Sequence, residues 1–321
     1  MNHERCGSTR RGFLRRCLYT LSLISFPGAA RLLAGNIAEH PMKKGPVKKV
    51  LVIWYSQAGH TERNGKLIAA TLAARGLKVE ATDYRSFNSA KLSGADLIIV
   101  GTPVYYYDVP VNVRQWISSL PEITGIPVAA YVTYGGEGGN QYNASCSLAE
   151  LLASRGGVPV AIDTFRNMST YPPTWAAGHE QRVLDYSYLP DRNTYKRVRA
   201  FALKAGKNAD EGKKSSFSKM FDFREAIKGT VVMWAGFKLF SGGYAIDKKT
   251  CTRCGICVRK CPVGAIDLSA WKINEDTCIA CMGCVNNCPV DAVDITFMGK
   301  RLYGFFSFLK KKNITIKEPV T

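Results

Sequence analysis

Two rhythms of apolar positions alternate along the chain from Lys48 onward. KKVLVIWY (48–55) is an unbroken, β-branched run, the pattern of a strand buried on both faces. It gives way to a turn and then to Leu67, Ile68, Thr71 and Leu72, which share one side of a helix. The alternation recurs. LKVEATDY (77–84) and ADLIIVGTPVYY (95–106) read as the second and third strands, followed by a helix from Val111 to Leu120. PVAAYVTYGG (127–136) reads as the fourth strand, Ser145 to Ser154 as a helix and GGVPVAIDTF (156–165) as the fifth strand. Strands alternating with helices predict an α/β fold, a doubly wound five-stranded parallel sheet with helices on both faces.

Beyond the fifth strand the rhythm stays helical. Tyr195, Val198, Phe201, Ala202 and Ala205 keep helical spacing, so 176–245 is expected to be a packed helical connector, with a local loop at Lys213 and Lys214. Trp234, Phe237, Leu239 and Phe240 form an apolar patch expected to be buried at a domain junction. The run is too short for a membrane span and contains Lys238.

At the other end, TRRGFLR (9–15) places Arg10 and Arg11 ahead of Phe13 and Leu14, and a short apolar stretch from Leu18 to Leu33 follows. This resembles a twin-arginine export signal over 1–35, with small residues for cleavage at Gly28, Ala29 and Ala30 or near Ala34. Pro27 and the length of the stretch argue against a membrane span. The resemblance implies a folded passenger exported to the periplasm or the outer face of the membrane.

Composition adds that 321 residues, 46% of them hydrophobic, can bury a sizeable core in about two domains. The net charge is +19. Residues 246–297 balance six basic against six acidic residues, so the excess sits elsewhere. It falls on 176–245, with thirteen basic against seven acidic, and on 298–321, with six against one. In that last segment, a basic tail, Lys310, Lys311 and Lys312 stand beside Phe305, Phe306 and Phe308. Three readings stay open: an anionic membrane surface, an acidic redox partner protein, or a solvated face. No recognition motif accompanies the charge, which argues against nucleic acid.

Eight of the eleven cysteines fall in two runs, CTRCGICVRKCP (251–262) and CIACMGCVNNCP (278–289). Both have the form C-x-x-C-x-x-C-x-x-x-C-P, the bacterial ferredoxin run that holds [4Fe-4S] clusters through thiolates. In two-cluster proteins the fourth cysteine crosses to the other cluster. The expected metal sets are therefore Cys251, Cys254, Cys257 and Cys288 for one cluster, and Cys278, Cys281, Cys284 and Cys261 for the other. Pro262 and Pro289 end the local helices, and Gly255 and Gly283 let backbone N–H groups approach sulfur. A shift of 27 residues superposes all four cysteines, the proline, Ala265 on Ala292 and Asp267 on Asp294, the sign of a duplicated half-domain. Zinc sites usually use C-x-x-C pairs without this third and fourth cysteine, and a mid-sized chain has little need of disulfide staples. Of the other cysteines, Cys6 and Cys17 belong to the leader, and Cys146 is expected to be a buried apolar residue on a helix.

The turn after the first strand, SQAGHT (56–61), can cradle an anion on backbone N–H groups, helix N-terminus and hydroxyls. It resembles the phosphate loop of flavodoxins, with Ala58 where that pattern has threonine. GTPVYYYDVP (101–110) and TYGGEGGNQY (133–142) resemble the second and third flavin loops. The resemblance implies FMN at the carboxyl ends of the strands, where their order reverses. The residues it marks are Ser56, Gln57, Ala58, Gly59, His60 and Thr61; Thr102, Pro103, Val104, Tyr105 and Tyr106; and Tyr134, Gly135 and Gly136. Tyr105 is the first choice to stack on the ring, with Tyr106 and Tyr134 behind it. His60 is placed to touch a phosphate or the ring edge.

A flavodoxin-like domain (46–175) followed by a ferredoxin domain (246–297), a small α+β unit, resembles the EFR-type flavodoxin–ferredoxin fusions. The likeness includes MSTYPP (168–173) after the fifth strand, and the export signal departs from it. It implies an iron–sulfur flavoprotein moving electrons between FMN and two [4Fe-4S] clusters. No triad, carboxylate dyad or nicotinamide fingerprint is evident, so an exported electron carrier is favoured over the alternative, an FMN-dependent reductase of a quinone or similar small substrate.

Overall fold

The computed structural model describes residues 40–43, 45–136, 141–220 and 230–319. The export signal with Cys6 and Cys17, and part of the third loop, lie outside the described residues.

The first sheet is β1 (Lys49–Trp54), β2 (Lys78–Asp83), β3 (Leu97–Pro103), β4 (Pro127–Tyr134) and β5 (Val158–Arg166), in the order β2-β1-β3-β4-β5. Every pairing is parallel. Successive strand side chains point to opposite faces, and β1 divides accordingly. Leu51, Ile53 and Tyr55 enter one core with Val113 and Ile117 of α2 (Val111–Ser119) and with Ala144, Leu148 and Leu152 of α3 (Gln141–Ala153). Val50, Val52 and Trp54 enter the other, with Leu67, Ile68 and Leu72 of α1 (His60–Ala73). Cys146 is fully buried on α3.

The segment expected as a connector is shared between two bodies. After the short helices α4 (Pro172–Ala176) and α5 (Gln181–Leu184), α6 (Arg192–Asp210) lays Tyr195, Val198, Phe201, Ala202 and Ala205 into the same core as α1. It therefore completes the cover of the first sheet. A reciprocal capping box of Asp191 and Thr194 starts it where the chain leaves the loop.

Helix α7 (Thr230–Phe240) leads into a second, antiparallel sheet in the order β10-β9-β6-β8-β7: β6 (Ser241–Ile246), β7 (Ile266–Asp267), β8 (Lys272–Ile273), β9 (Val293–Phe297) and β10 (Lys300–Arg301). This ferredoxin-like unit thus begins at Ser241. Its two short helices are α8 (Ile256–Lys260) and α9 (Gly283–Asn286). In the expected junction patch Phe237 is buried and stacks on Phe297 at 5.4 Å, whereas Leu239 and Phe240 are exposed. The helix ends where β6 begins, and Met298 N–H donates to Phe240 O at 2.8 Å.

The basic C-terminal segment is taken into the fold. Helix α10 (Phe305–Lys312) buries Phe305, Phe308 and Leu309 against Ala58, Met168, Trp175 and Val183, and Arg63 holds Glu318 through two hydrogen bonds of 2.9 and 2.7 Å. Phe305 and Phe308 face inward, whereas Phe306 and the lysines face outward, as amphipathic helical spacing requires.

Candidate functional site

The carboxyl ends of the parallel strands open into a cavity of about 270 Å³, lined by the loops after β1, β3, β4 and β5. Every expected flavin-loop residue lines it except Gly59 and Thr102. Gly59 shapes the turn instead: at φ +93° it caps α1, and its N–H donates to Ser56 Oγ at 3.2 Å. Thr102 is buried within β3. The first turn of α1 leaves backbone N–H groups without intrahelical acceptors, the requirement for an anion cradle. Tyr131 steadies this turn by donating to Thr61 O at 2.9 Å, and Thr61 Oγ1 lies 2.7 Å from Thr133 Oγ1. Room for Tyr131 exists because position 101 is glycine: a Cβ there would meet its ring at 1.9 Å.

The second loop is a tight hairpin in which Tyr105 and Asp108 exchange both backbone hydrogen bonds, at 3.0 Å each. Its central residues, Tyr106 and Tyr107, have φ of +48° and +72°. Such turns favour Asn and Gly, so two tyrosines there cost about 1–3 kcal/mol each. The geometry is held from outside: Tyr106 donates its hydroxyl to Ala280 O at 3.1 Å and meets the Tyr171 ring edge-on, while Arg114 pairs with Asp108. Tyr105 packs edge-on against Tyr55. Burial raises the pKa of Tyr55, Tyr105 and Tyr106, so all three remain phenols. Burial, and secondarily the Arg63 charge, push His60 down to about 3, which keeps it neutral.

Sequence reasoning missed part of the wall. Asn167, Met168, Ser169, Thr170, Tyr171 and Thr174 line the cavity, beside Tyr107, Thr133 and Gln141 of the loops already named. MSTYPP marked that loop, but nothing local shows that it folds back so far that a Cβ on Gly135 would lie 2.3 Å from Ser169 Cα. Met233 and Ala280 arrive from the C-terminal part of the chain, and so does Cys281.

The cysteines fall into two further pockets. Cys251, Cys254, Cys257 and Cys288 line one, and Cys261, Cys278, Cys281 and Cys284 line the other. Each set draws three residues from one run and one from the other. All eight are free thiols. Four thiols per pocket, three from one run and the fourth from the other, are the interleaved donor set of a pair of four-iron cubes.

The sequence repeat is realised atom by atom. Ala265 N–H donates to Cys261 Sγ at 3.2 Å and Ala292 N–H to Cys288 Sγ at 3.1 Å; Arg253 and Ala280 N–H donate to Cys251 and Cys278 Sγ at 3.4 Å each. Left-handed residues pair at the same 27-residue offset: Arg253 with Ala280, Gly255 with Met282, Gly264 with Asp291, and Tyr244 with Trp271. N–H groups aimed at sulfur favour thiolate and help set a cluster's potential.

The two pockets differ in surroundings. Burial pushes Cys281 up to about 12, and it raises Cys284 and Cys278 as well. Cys254 is exposed, and the Ile256 backbone N–H lowers its pKa. Cys281 belongs to the wall of both its own pocket and the aromatic cavity. At this junction Gln57 Nε2 reaches Tyr55 Oη at 2.7 Å, Lys260 O at 3.0 Å and Cys281 Sγ at 3.7 Å. The Lys260 carbonyl only accepts, which fixes the nitrogen end of the amide. Asn287 Nδ2 in turn donates to Gln57 O at 2.7 Å.

For a flavin the donor set also fits: an N–H cradle with hydroxyls at one end, aromatic walls at the other, and Asn167 Oδ1 buried with no donor among the described residues. Fold and sites together define an electron-transfer protein of the flavin and iron–sulfur class. Residues 51–165 match the flavodoxin domain family, and 244–289 match the 4Fe-4S dicluster domain family. The chain thus carries a flavodoxin domain and a 4Fe-4S dicluster domain, consistent with a flavodoxin–ferredoxin fusion, and the two domains imply FMN and two [4Fe-4S] clusters. No curated protein matches it. Similar solved structures include a flavodoxin from the domain Archaea (16% identity, 50% of this chain and 98% of that one, TM-score 0.37). Flavodoxin 1 from Bacillus cereus (19%, 50% and 98%, 0.38) and the two-electron reduced flavodoxin of Megasphaera elsdenii (18%, 50% and 98%, 0.37) are further examples.

Proposed function

We propose that this protein is an exported electron carrier that links FMN to an outside redox partner through two clusters in series. The observation that carries the reading is the double membership of Cys281, in the wall of the aromatic cavity and in a four-cysteine pocket. The inner cluster would be held by Cys261, Cys278, Cys281 and Cys284, and the outer one by Cys251, Cys254, Cys257 and Cys288. Backbone N–H groups of 57–61 with Ser56 and Thr61 would hold the FMN phosphate, and Tyr105, Tyr106, Tyr134, Gly135 and Gly136 would border the ring.

When bound, FMN exchanges electrons singly or in pairs and each cluster exchanges one. The chain's own residues orient these groups, exclude water and supply hydrogen bonds. Among the described residues no carboxylate lines the cavity and His60 is neutral, so no side chain there is poised as a strong acid. That favours carrier over reductase.

An anaerobic visible spectrum with iron, sulfide and flavin quantitation tests the cofactor set, with eight irons and one FMN per chain expected. Rapid steady-state reduction of a quinone by the purified protein would replace carrier with reductase. Export through the twin-arginine route belongs to the same proposal and rests on Arg10, Arg11, Phe13 and Leu14. A reporter fused to residues 1–40 should reach the periplasm and stay in the cytoplasm when both arginines become lysine.

A further inference from the structure

Cys254 is the one exposed cysteine of the eight. Four cations lie on the two stretches of chain that flank it. Arg259 donates Nη1 to Cys254 O at 3.1 Å, and Arg253 and Lys248 lie over the Trp271 ring at 4.8 and 6.0 Å. Lys249 follows Lys248, and all four are exposed. None has an ion-pair partner among the described residues.

The neighbouring carboxylates are hydrogen-bonded within their own turns or to nearby N–H and O–H groups. Asp247 accepts from Lys249 N at 2.9 Å and Thr250 Oγ1 at 2.6 Å. Asp267 accepts from Ser269 and Ala270 in its own turn, and Asp291 from Ser307 and Gly304. Four cations without ion-pair partners among the described residues thus share this face with carboxylates already engaged by hydrogen bonds. Val258 and Val290, 41% and 36% exposed, give this face an apolar element. The rest of the relay is closed off: the Cys281 pocket abuts the flavin cavity, and no residue of the first domain lines the Cys254 pocket.

We infer that the face formed by Lys248, Lys249, Arg253 and Arg259 around Cys254 is the docking surface for an acidic one-electron redox protein. The inference rests on the proposal that Cys251, Cys254, Cys257 and Cys288 hold the outer cluster. One electron leaves the reduced partner and one is gained at the Cys254 site, with no bond or proton changed. Unpaired surface cations steer an anionic partner and raise its association rate by about 10- to 1,000-fold, an effect that salt screens.

The test uses the full chain loaded with its cofactors and a reduced acidic [2Fe-2S] ferredoxin as probe, mixed by stopped flow at low and high salt. Lys248→Glu/Lys249→Glu is compared with Lys196→Glu/Lys204→Glu on the exposed side of α6, which changes the net charge equally. The first pair should slow electron transfer about tenfold or more at low salt, with the difference fading at high salt, and the second pair should slow it much less. An uncharged mediator should serve all three proteins alike. Equal slowing by both pairs, or by neither, overturns the inference. Arg253→Gln, a milder change, repeats the test should iron content fall in the first pair. Iron content and cluster spectra of the unmutated protein are read first: absence of the outer cluster would refute the carrier reading itself, whereas two intact clusters with no patch effect would refute only the docking face.

Discussion

Gln57 Nε2 lies 3.7 Å from Cys281 Sγ, so the first flavin loop makes a hydrogen bond onto a thiol of the ferredoxin unit. A donor aimed at sulfur stabilises the more negative, reduced state of a cluster held there. Gln57→Leu should therefore lower the potential of the inner cluster by tens of millivolts, taking a net hydrogen bond as about 1 kcal/mol. A redox titration followed by EPR checks this, and an unchanged inner potential would discount the bond.

Gly283 has the complementary role. A Cβ at that position would lie 2.3 Å from Gln57 Oε1, and Gly283 is itself buried. Gly283→Ala should displace the Gln57 amide, destabilise the chain by about 1–3 kcal/mol, and move the inner potential in the same direction as Gln57→Leu. Denaturant midpoints give the first quantity and the same titration the second.

The crossing of the two runs predicts which substitutions resemble each other. Cys261→Ser and Cys278→Ser stand in different runs but line one pocket, and should lose the same EPR signal. Cys288→Ser and Cys251→Ser should lose the other. If instead each run behaved as a unit, the interleaved assignment would be wrong.

His60 gives a pH dependence with a defined sign. Its folded pKa of about 3 lies below its ordinary value of 6.5, so the unfolded chain binds the extra proton as pH falls through that window. Stability present above pH 6.5 is then lost on acidification, by about 2 kcal/mol at pH 5. Urea unfolding of the flavin-free protein at pH 7 and pH 5 should show this loss, and His60→Gln should remove most of it.

Phe308 tests the C-terminal helix. It is fully buried, with its ring 4.6 Å from that of Trp175, in a cluster that includes Ala58 and Met168 of the cavity wall. Phe308→Ala should cost about 3–5 kcal/mol and weaken FMN retention, measurable by fluorescence as flavin is released.

What the sequence made legible was what short spacing encodes. The five strands ended within three residues of their predicted limits, because β-branched runs such as VLVIW are unbroken and end at polar turns. The cysteine runs declared themselves because ligand spacing is local. The long-range contacts were not legible: no pattern in SQAGHT tells that Gln57 will reach Lys260 and Cys281, and none in FFSF tells that Phe305 and Phe308 will face Ala58. The charge-rich stretch at 298–319 read as a tail because its lysines are conspicuous, whereas the three-residue step from Phe305 to Phe308, which buries it, is too short to weigh.

The doubled loop geometry of the ferredoxin unit makes two wells of the same peptide shape. What sets them apart most is what each one leans on, a second domain in one case and open water in the other. A duplicated segment has thereby acquired an inward terminal and an outward one, and its polarity comes from the neighbour it docked against.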